Sequence, residues 1–317
     1  MKRVISIILA SIIIVISFVC IKNITLPKLM KNANYGIGRL CAEKNKDIVF
    51  IGSSMFRHGL DIEVLEEKNM DVYLLAYNGH QPFTEVLQIK ELLKNDVKIN
   101  KLIVDMYAFS LTSKMKISDI RLLQDTSPEF KTSIFNTLKT GNAATFSTWY
   151  EMMITGNNEV YISWPISFRL INSRYKNGGS SNGGEGKTHK ELVLLNNDMG
   201  GKDDINYQQV THILELVELC NENNIEIVFL ETPKYTHLYE NKNYCDIMRE
   251  YISFLKDKRC KIVISDKTAS ELNDIQQYCT VYKFENKPEY FSDLIHMSKK
   301  GKKQFTNDII PVLNKTA

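Results

Sequence analysis

The chain has 317 residues, enough for one large domain with insertions or two small ones. A hydrophobic content of 44% and a charged content of 24% describe a globular chain that can bury a sizeable core. A net charge of +3, with no basic run interleaved with aromatics, argues against a dedicated nucleic-acid binder; the lysine cluster at 299–303 is read as facing solvent.

The first thirty residues differ from the rest. Met1-Lys2-Arg3 precede VISIILASIIIVISFVCI, residues 4–21, which carries no charge and is about long enough to cross a bilayer as a helix. The basic residues before it favour a cytoplasmic amino terminus, and Lys22 and Lys28 beyond it weaken that bias without cancelling it. The exit Phe18-Val19-Cys20-Ile21-Lys22 offers no small-x-small cleavage site, and Val19 is too bulky to precede a lipoprotein cysteine. Residues 1–29 are therefore read as an uncleaved, single-pass membrane anchor. The body, residues 30–317, is expected outside the cytoplasmic membrane.

Strand-length apolar runs follow at 48–51, 72–76, 102–106, 225–230 and 261–265. Continuous runs of this kind suit strands buried on both faces. Helical spacing appears at 84–94, 207–220, 247–255 and 304–313. This alternation predicts a three-layer α/β/α (flavodoxin-like) body with a mainly parallel sheet of about five strands. Residues 110–204 interrupt it after the third strand and are too long for a crossover. They carry Trp149, Trp164, Tyr150, Tyr161 and Phe168, and the segment NGGSSNGGEGK at 177–187, whose composition predicts mobility. The insertion is read as a lid or substrate platform over the carboxyl edge of the sheet, or as a helical decoration that only packs.

Six cysteines, Cys20, Cys41, Cys220, Cys245, Cys260 and Cys279, show no CxxC and no zinc spacing. No metal site and no cofactor is expected. Free thiols are the plain reading, with one disulfide among Cys245, Cys260 and Cys279 as the alternative.

Ligands of open α/β sheets bind beyond the carboxyl ends of the strands. There stand Gly52-Ser53-Ser54, then Tyr77-Asn78-Gly79-His80, then Asp105-Met106-Tyr107, then Glu231-Thr232-Pro233-Lys234, with Ser292-Asp293-Leu294-Ile295-His296 near the carboxyl terminus. A serine hydroxyl becomes a nucleophile only beside a base, and the base needs an orienting group. Asp293 and His296, three apart, can meet within one turn. Ser54 is then the candidate nucleophile, and the amides of Ser54 and Gly79 are candidate oxyanion donors. The alternative for Ser54 is a cap on the helix that follows. Arg57, His80 and Tyr107 are candidate substrate-binding residues. His58 also lies near the proposed site and could bind substrate; surface placement is the alternative for His58 and His80, and a carboxylate partner the alternative to an anionic substrate for Arg57. Asp105 is read as lining the pocket or capping the next turn. His189, His212 and His237 carry no partner pattern.

These segments resemble the SGNH/GDSL hydrolase superfamily. FIGSSMFRHGLD is similar to its first block, which implies Ser54 as nucleophile. AYNGHQP is similar to the second, which implies an oxyanion amide at Gly79. YFSDLIHMSKKGKKQFT is similar to the last, which implies Asp293 and His296. The resemblance covers roughly 46–108 and 206–314. The family's third block, Gly-x-Asn-Asp, reads VDMYAFS here and lacks the asparagine, so Asn78, Tyr107 or a residue of the insertion replaces it, or the oxyanion hole is poorer. The same loss marks a membrane-anchored subgroup resembling the lipoteichoic-acid D-alanyl transfer protein and the alginate O-acetylation proteins, which act beside a membrane-bound O-acyltransferase. The resemblance implies a serine-dependent O-acyl transferase or acyl esterase acting on a cell-envelope polysaccharide or teichoic acid. A second reading is a non-catalytic glycan-binding or scaffolding subunit of an acyltransferase complex. A third, a secreted lipase, predicts a strongly apolar pocket under the insertion.

Overall fold

The structure is a computed structural model describing residues 2–20, 36–123, 126–150, 152, 181, 183–195 and 204–315. Tyr161, Trp164 and Phe168 lie outside the described residues. Helix α1 (Lys2–Cys20) is long and apolar enough to cross a membrane, with a mean hydropathy of 2.7 over Arg3–Cys20, and none of that stretch is buried against the body.

Six strands, β1 (Asn45–Gly52), β2 (Val72–Ala76), β3 (Lys98–Asp105), β4 (Glu226–Leu230), β5 (Lys261–Ser265) and β6 (Thr280–Tyr282), form one parallel sheet in the order β2-β1-β3-β4-β5-β6. Five coincide with the apolar runs. The sixth is an edge strand of three residues, two of them exposed, and leaves no apolar run to read.

Alternation of side chains sorts the sheet into two cores. Val49, Ile51, Leu102, Val104, Ile227 and Phe229 point to one face. There they meet α2 (Ile37–Glu43), α5 (Pro82–Lys94), α9 (Tyr207–Glu222) and α10 (Lys242–Leu255). Phe50, Ile103, Val228 and Leu230 point to the other, against α3 (Ser54–Gly59), α4 (Ile62–Glu67) and α12 (Lys299–Lys315), the long final helix. Both faces are covered, which is why the strands read as apolar without interruption.

The described part of the insertion contributes α6 (Pro128–Thr140), α7 (Phe146–Tyr150) and α8 (His189–Val193). Met115, Leu122, Phe130, Ile134, Leu138 and Met152 build a satellite core on Tyr77 and Phe83. All six cysteines carry free thiols, so the disulfide alternative is corrected. A short helix, α11 (Asp266–Glu271), follows β5 directly.

Candidate active site

The site begins where β1 ends. A Cβ at Gly52 would fall 2.2 Å from the Cβ of Asp105, so the ends of β1 and β3 approach this closely only with glycine there. Ser53 follows and caps α3, its Oγ accepting from the Met55 amide at 3.1 Å. The same hydroxyl donates to Asp105 Oδ2 at 2.5 Å, and the Ser53 amide donates to that oxygen at 3.1 Å. Capping therefore belongs to Ser53, and Asp105 accepts from both the amide and the hydroxyl of that residue. It is a buried anchor for the loop. Burial raises its pKa, partly offset by Lys234 and the Ser53 bonds.

Ser54 is the first residue of α3 and half-buried. Its Oγ lies 2.8 Å from His296 Nε2, and His296 Nδ1 lies 2.8 Å from Asp293 Oδ2. The other carboxylate oxygen of Asp293 accepts from the amides of Ile295 at 2.8 Å and His296 at 2.7 Å. Burial works against the Asp293 charge, but the His296 bond, the His296 charge and these two amides outweigh it, and its pKa is lowered. An ionised carboxylate only accepts, so Nδ1 carries the proton and Nε2 is left to accept from Ser54. The loop holding the pair closes through Ser292 N to His296 O at 2.9 Å. It is pinned beneath by Gly301, where a Cβ would fall 1.9 Å from the Tyr290 carbonyl oxygen.

The backbone N–H groups of Ser54 and Gly79 make no hydrogen bond among the described residues. Gly79 has φ of 61°, in the left-handed region that favours glycine, and a Cβ there would meet the Cβ of Ser118 at 2.6 Å. Tyr77 N donates to Gly52 O at 3.0 Å, which ties this turn to the first. The Asn78 amide is engaged by Asp119 Oδ2 at 3.0 Å, and its side-chain oxygen accepts from Arg57 Nη1 at 3.2 Å. Only the Asn78 side-chain NH2 remains to serve an oxyanion.

Two sequence-derived placements are corrected. His80 is not at the surface. It is buried behind the first loop, its Nδ1 donating to Gly52 O at 3.1 Å, and burial pushes its pKa down to about 4. His58 is half-buried against the catalytic loop. Its ring centroid lies 4.9 Å from that of His296, at an interplanar angle of 62°. Burial, then the charges of His296 and Arg57, push its pKa down to about 4. Tyr107 is half-buried at the rim, with the Lys234 ammonium 5.8 Å from its ring centre, and its hydroxyl makes no hydrogen bond among the described residues.

Sequence reasoning missed a second layer under the site. Lys234 is fully buried and donates to the Thr232 carbonyl at 2.5 Å and hydroxyl at 2.6 Å. Burial lowers its pKa against the pull of Glu231, Asp105 and Asp293. Glu231, also fully buried, accepts from Tyr239, Tyr244, Thr268 and Ser265. Both residues stand at the end of the fourth apolar run, and two charged residues at that boundary were the available signal.

The glycine-rich segment 177–187 is described in part. Residues 177–180 and 182 fall outside the described residues, but Ser181 and 183–187 lie across the catalytic loop as a strap. Lys299 N donates to Gly184 O at 2.9 Å, and Lys187 N donates to Phe291 O at 3.0 Å. Cβ atoms at Gly183, Gly184 and Gly186 would fall 2.7, 2.6 and 2.2 Å from this loop, so here the glycines serve close packing. Lys302, read as solvent-facing, is buried and donates to Ser181 O at 2.6 Å.

No family model matches the chain, and no curated protein does. Among solved structures it is similar to a GDSL-like lipase from Bacteroides thetaiotaomicron, with a TM-score of 0.35 and 10% identity over 87% of this chain and 90% of that one. It is also similar to a protein assigned as an acylhydrolase from Bacteroides fragilis, with a TM-score of 0.35 and 12% identity over 86% of this chain and 88% of that one. The chemistry of the site rests on the geometry of Ser54, His296 and Asp293.

Proposed function

We propose that the chain is a membrane-anchored, extracytoplasmic serine O-acyl transferase or acyl esterase acting on a cell-envelope polysaccharide or teichoic acid. One observation carries the chemistry: the unbroken line from Ser54 Oγ to His296 Nε2 and from His296 Nδ1 to Asp293, each bond 2.8 Å. The apolar helix α1, the Gly-Ser-Ser first block, the long insertion and the missing asparagine of the third block, features that resemble the membrane-anchored subgroup, support the location and the substrate class. In this reading residues 1–29 are the anchor, the insertion at 110–204 is the substrate platform, and a membrane-bound O-acyltransferase is the partner.

Ser54 Oγ attacks the acyl carbon as its proton passes to His296 Nε2. Asp293 holds the imidazolium that forms. The Ser54 and Gly79 amides face the oxyanion, with the Asn78 side chain or Tyr107 as the third donor. The tetrahedral intermediate collapses, the carbon–oxygen bond to the leaving alcohol breaks, and His296 returns the proton to that oxygen. A sugar hydroxyl or water then repeats the sequence in reverse on the Ser54 ester.

The test uses the full chain in detergent with p-nitrophenyl acetate as donor. Intact mass is expected to show one acetyl group on the wild type and none on Ser54→Ala. Absence of the adduct from both proteins would favour the non-catalytic scaffolding subunit.

A further inference from the structure

We infer that His58 is the acceptor-side specificity residue of this site, binding a second hydroxyl of a polyol acceptor while Ser181 of the insertion holds its ring in place. The inference rests on the acyl-transfer reading above and names the acceptor class for it.

His296 Nε2 is the ring atom that exchanges protons, because Nδ1 is committed to Asp293. Any alcohol that takes the acyl group must bring its hydroxyl to Nε2. His58 stands four residues after Ser54 on α3, so both side chains project from the same helix face. Its ring packs edgewise on His296, with centroids 4.9 Å apart. An oxygen within reach of His296 Nε2 is therefore beside His58.

The ring of His58 is held from one side. Its Nδ1 lies 2.8 Å from Ser181 Oγ. Ser181 is itself fixed by its amide donating to Arg57 O at 2.9 Å, by its carbonyl accepting from Lys302 at 2.6 Å, and by its hydroxyl accepting from Gly183 N at 3.2 Å. The other ring nitrogen of His58 has no hydrogen-bond partner among the described residues, and the ring is only half-buried. A hydroxyl both donates and accepts, so it matches that nitrogen in either tautomer. Burial keeps the ring neutral near pH 7, which also spares the His296 imidazolium a like charge next to it. Hydrolysis needs only water at this point. A second imidazole fixed by a separate segment of the chain suits an acceptor with more than one hydroxyl. In the transfer step the acceptor oxygen bonds to the acyl carbon, the Ser54 ester bond breaks, and the acceptor proton passes through His296 Nε2 to Ser54 Oγ; His58 exchanges no proton.

The experiment compares acetyl transfer from p-nitrophenyl acetate to glycerol and to propan-1-ol at equal concentration, using the full chain in detergent. A site built to bond a hydroxyl discriminates against an acceptor that lacks it, so the wild type is expected to favour glycerol by about tenfold or more. His58→Phe should bring the ratio close to one while the acylation burst falls by no more than about threefold, a split that lost support for His296 would not produce. Ser181→Ala should lower the ratio partway, and His58→Gln, which keeps a donor and an acceptor, should restore part of it. An unchanged ratio in His58→Phe, or an equal fall in acylation and in transfer to both alcohols, would overturn the assignment. A wild type that forms no Ser54 adduct would instead overturn the acyl-transfer reading itself, and this assignment with it.

Discussion

Ser53 Oγ donates to Asp105 Oδ2 at 2.5 Å, one residue before the hydroxyl that faces His296. Two adjacent serines thus meet different partners, a buried carboxylate for structure and an imidazole for chemistry. Ser53→Ala removes a helix cap and a bond to a buried carboxylate, and should cost about 1–3 kcal/mol of stability while leaving a slower Ser54 adduct. Ser54→Ala should stay within about 0.5 kcal/mol of the wild type and form no adduct. Urea midpoints beside intact mass check both. A Ser53→Ala protein of full stability would mean that Asp105 does not depend on this hydroxyl.

Asp293→Asn presents an amide where His296 Nδ1 meets a carboxylate. The ring then loses the anion that selects its tautomer and supports its imidazolium. Acylation by p-nitrophenyl acetate should fall by about 10³–10⁴-fold in a protein that remains folded. A fall below about tenfold would show that Asp293 does not orient the base.

Gly186 lies where a Cβ would fall 2.2 Å from the Glu289 carbonyl oxygen. Gly186→Ala must push the strap off the catalytic loop, at a cost of roughly 1–3 kcal/mol. Limited proteolysis should then cut at 181–187 faster than in the wild type. Equal cutting in the two proteins would mean that this segment is not docked.

His58 and His80 both have pKa values pushed down to about 4 from an ordinary 6.5, burial being the largest cause for each. The unfolded chain therefore binds more protons than the folded one between these values. Their contribution to stability is complete above about pH 6.5 and is lost as pH falls toward 4. Urea midpoints should drop from pH 7 to pH 5. The drop should be smaller in His80→Asn, which keeps a donor at the Nδ1 position toward Gly52 O. A drop of the same size in that variant would remove His80 from the account.

The central strands were legible because both faces of the sheet are covered, so residues 48–51 and 72–76 carry no polar interruption. Their starts were less so. β1 begins at Asn45 and β3 at Lys98, because ladder bonds continue into residues whose side chains reach solvent. Helix α10 begins at Lys242, ahead of its apolar spacing, because Asn241 caps it with bonds to the amides of Asn243 and Tyr244. Ser54, Asp293 and His296 could be named from residue type and order, and the structure brings all three together. The supports around them could not. Asp105, Lys234, Ser181 and Lys302 act through long-range packing, and a glycine that packs closely looks in sequence like a glycine that flexes.

The hydroxyl of Ser54 and the imidazole of His296 are 242 positions apart in the chain. During translation the nucleophile is made before its base, a delay of roughly tens of seconds at ordinary elongation rates. Until the final helix docks, Ser54 is an unactivated alcohol. The nascent chain therefore cannot acylate itself or cleave esters it meets before then, and competence arrives only once His296 and the helix that follows it are in place.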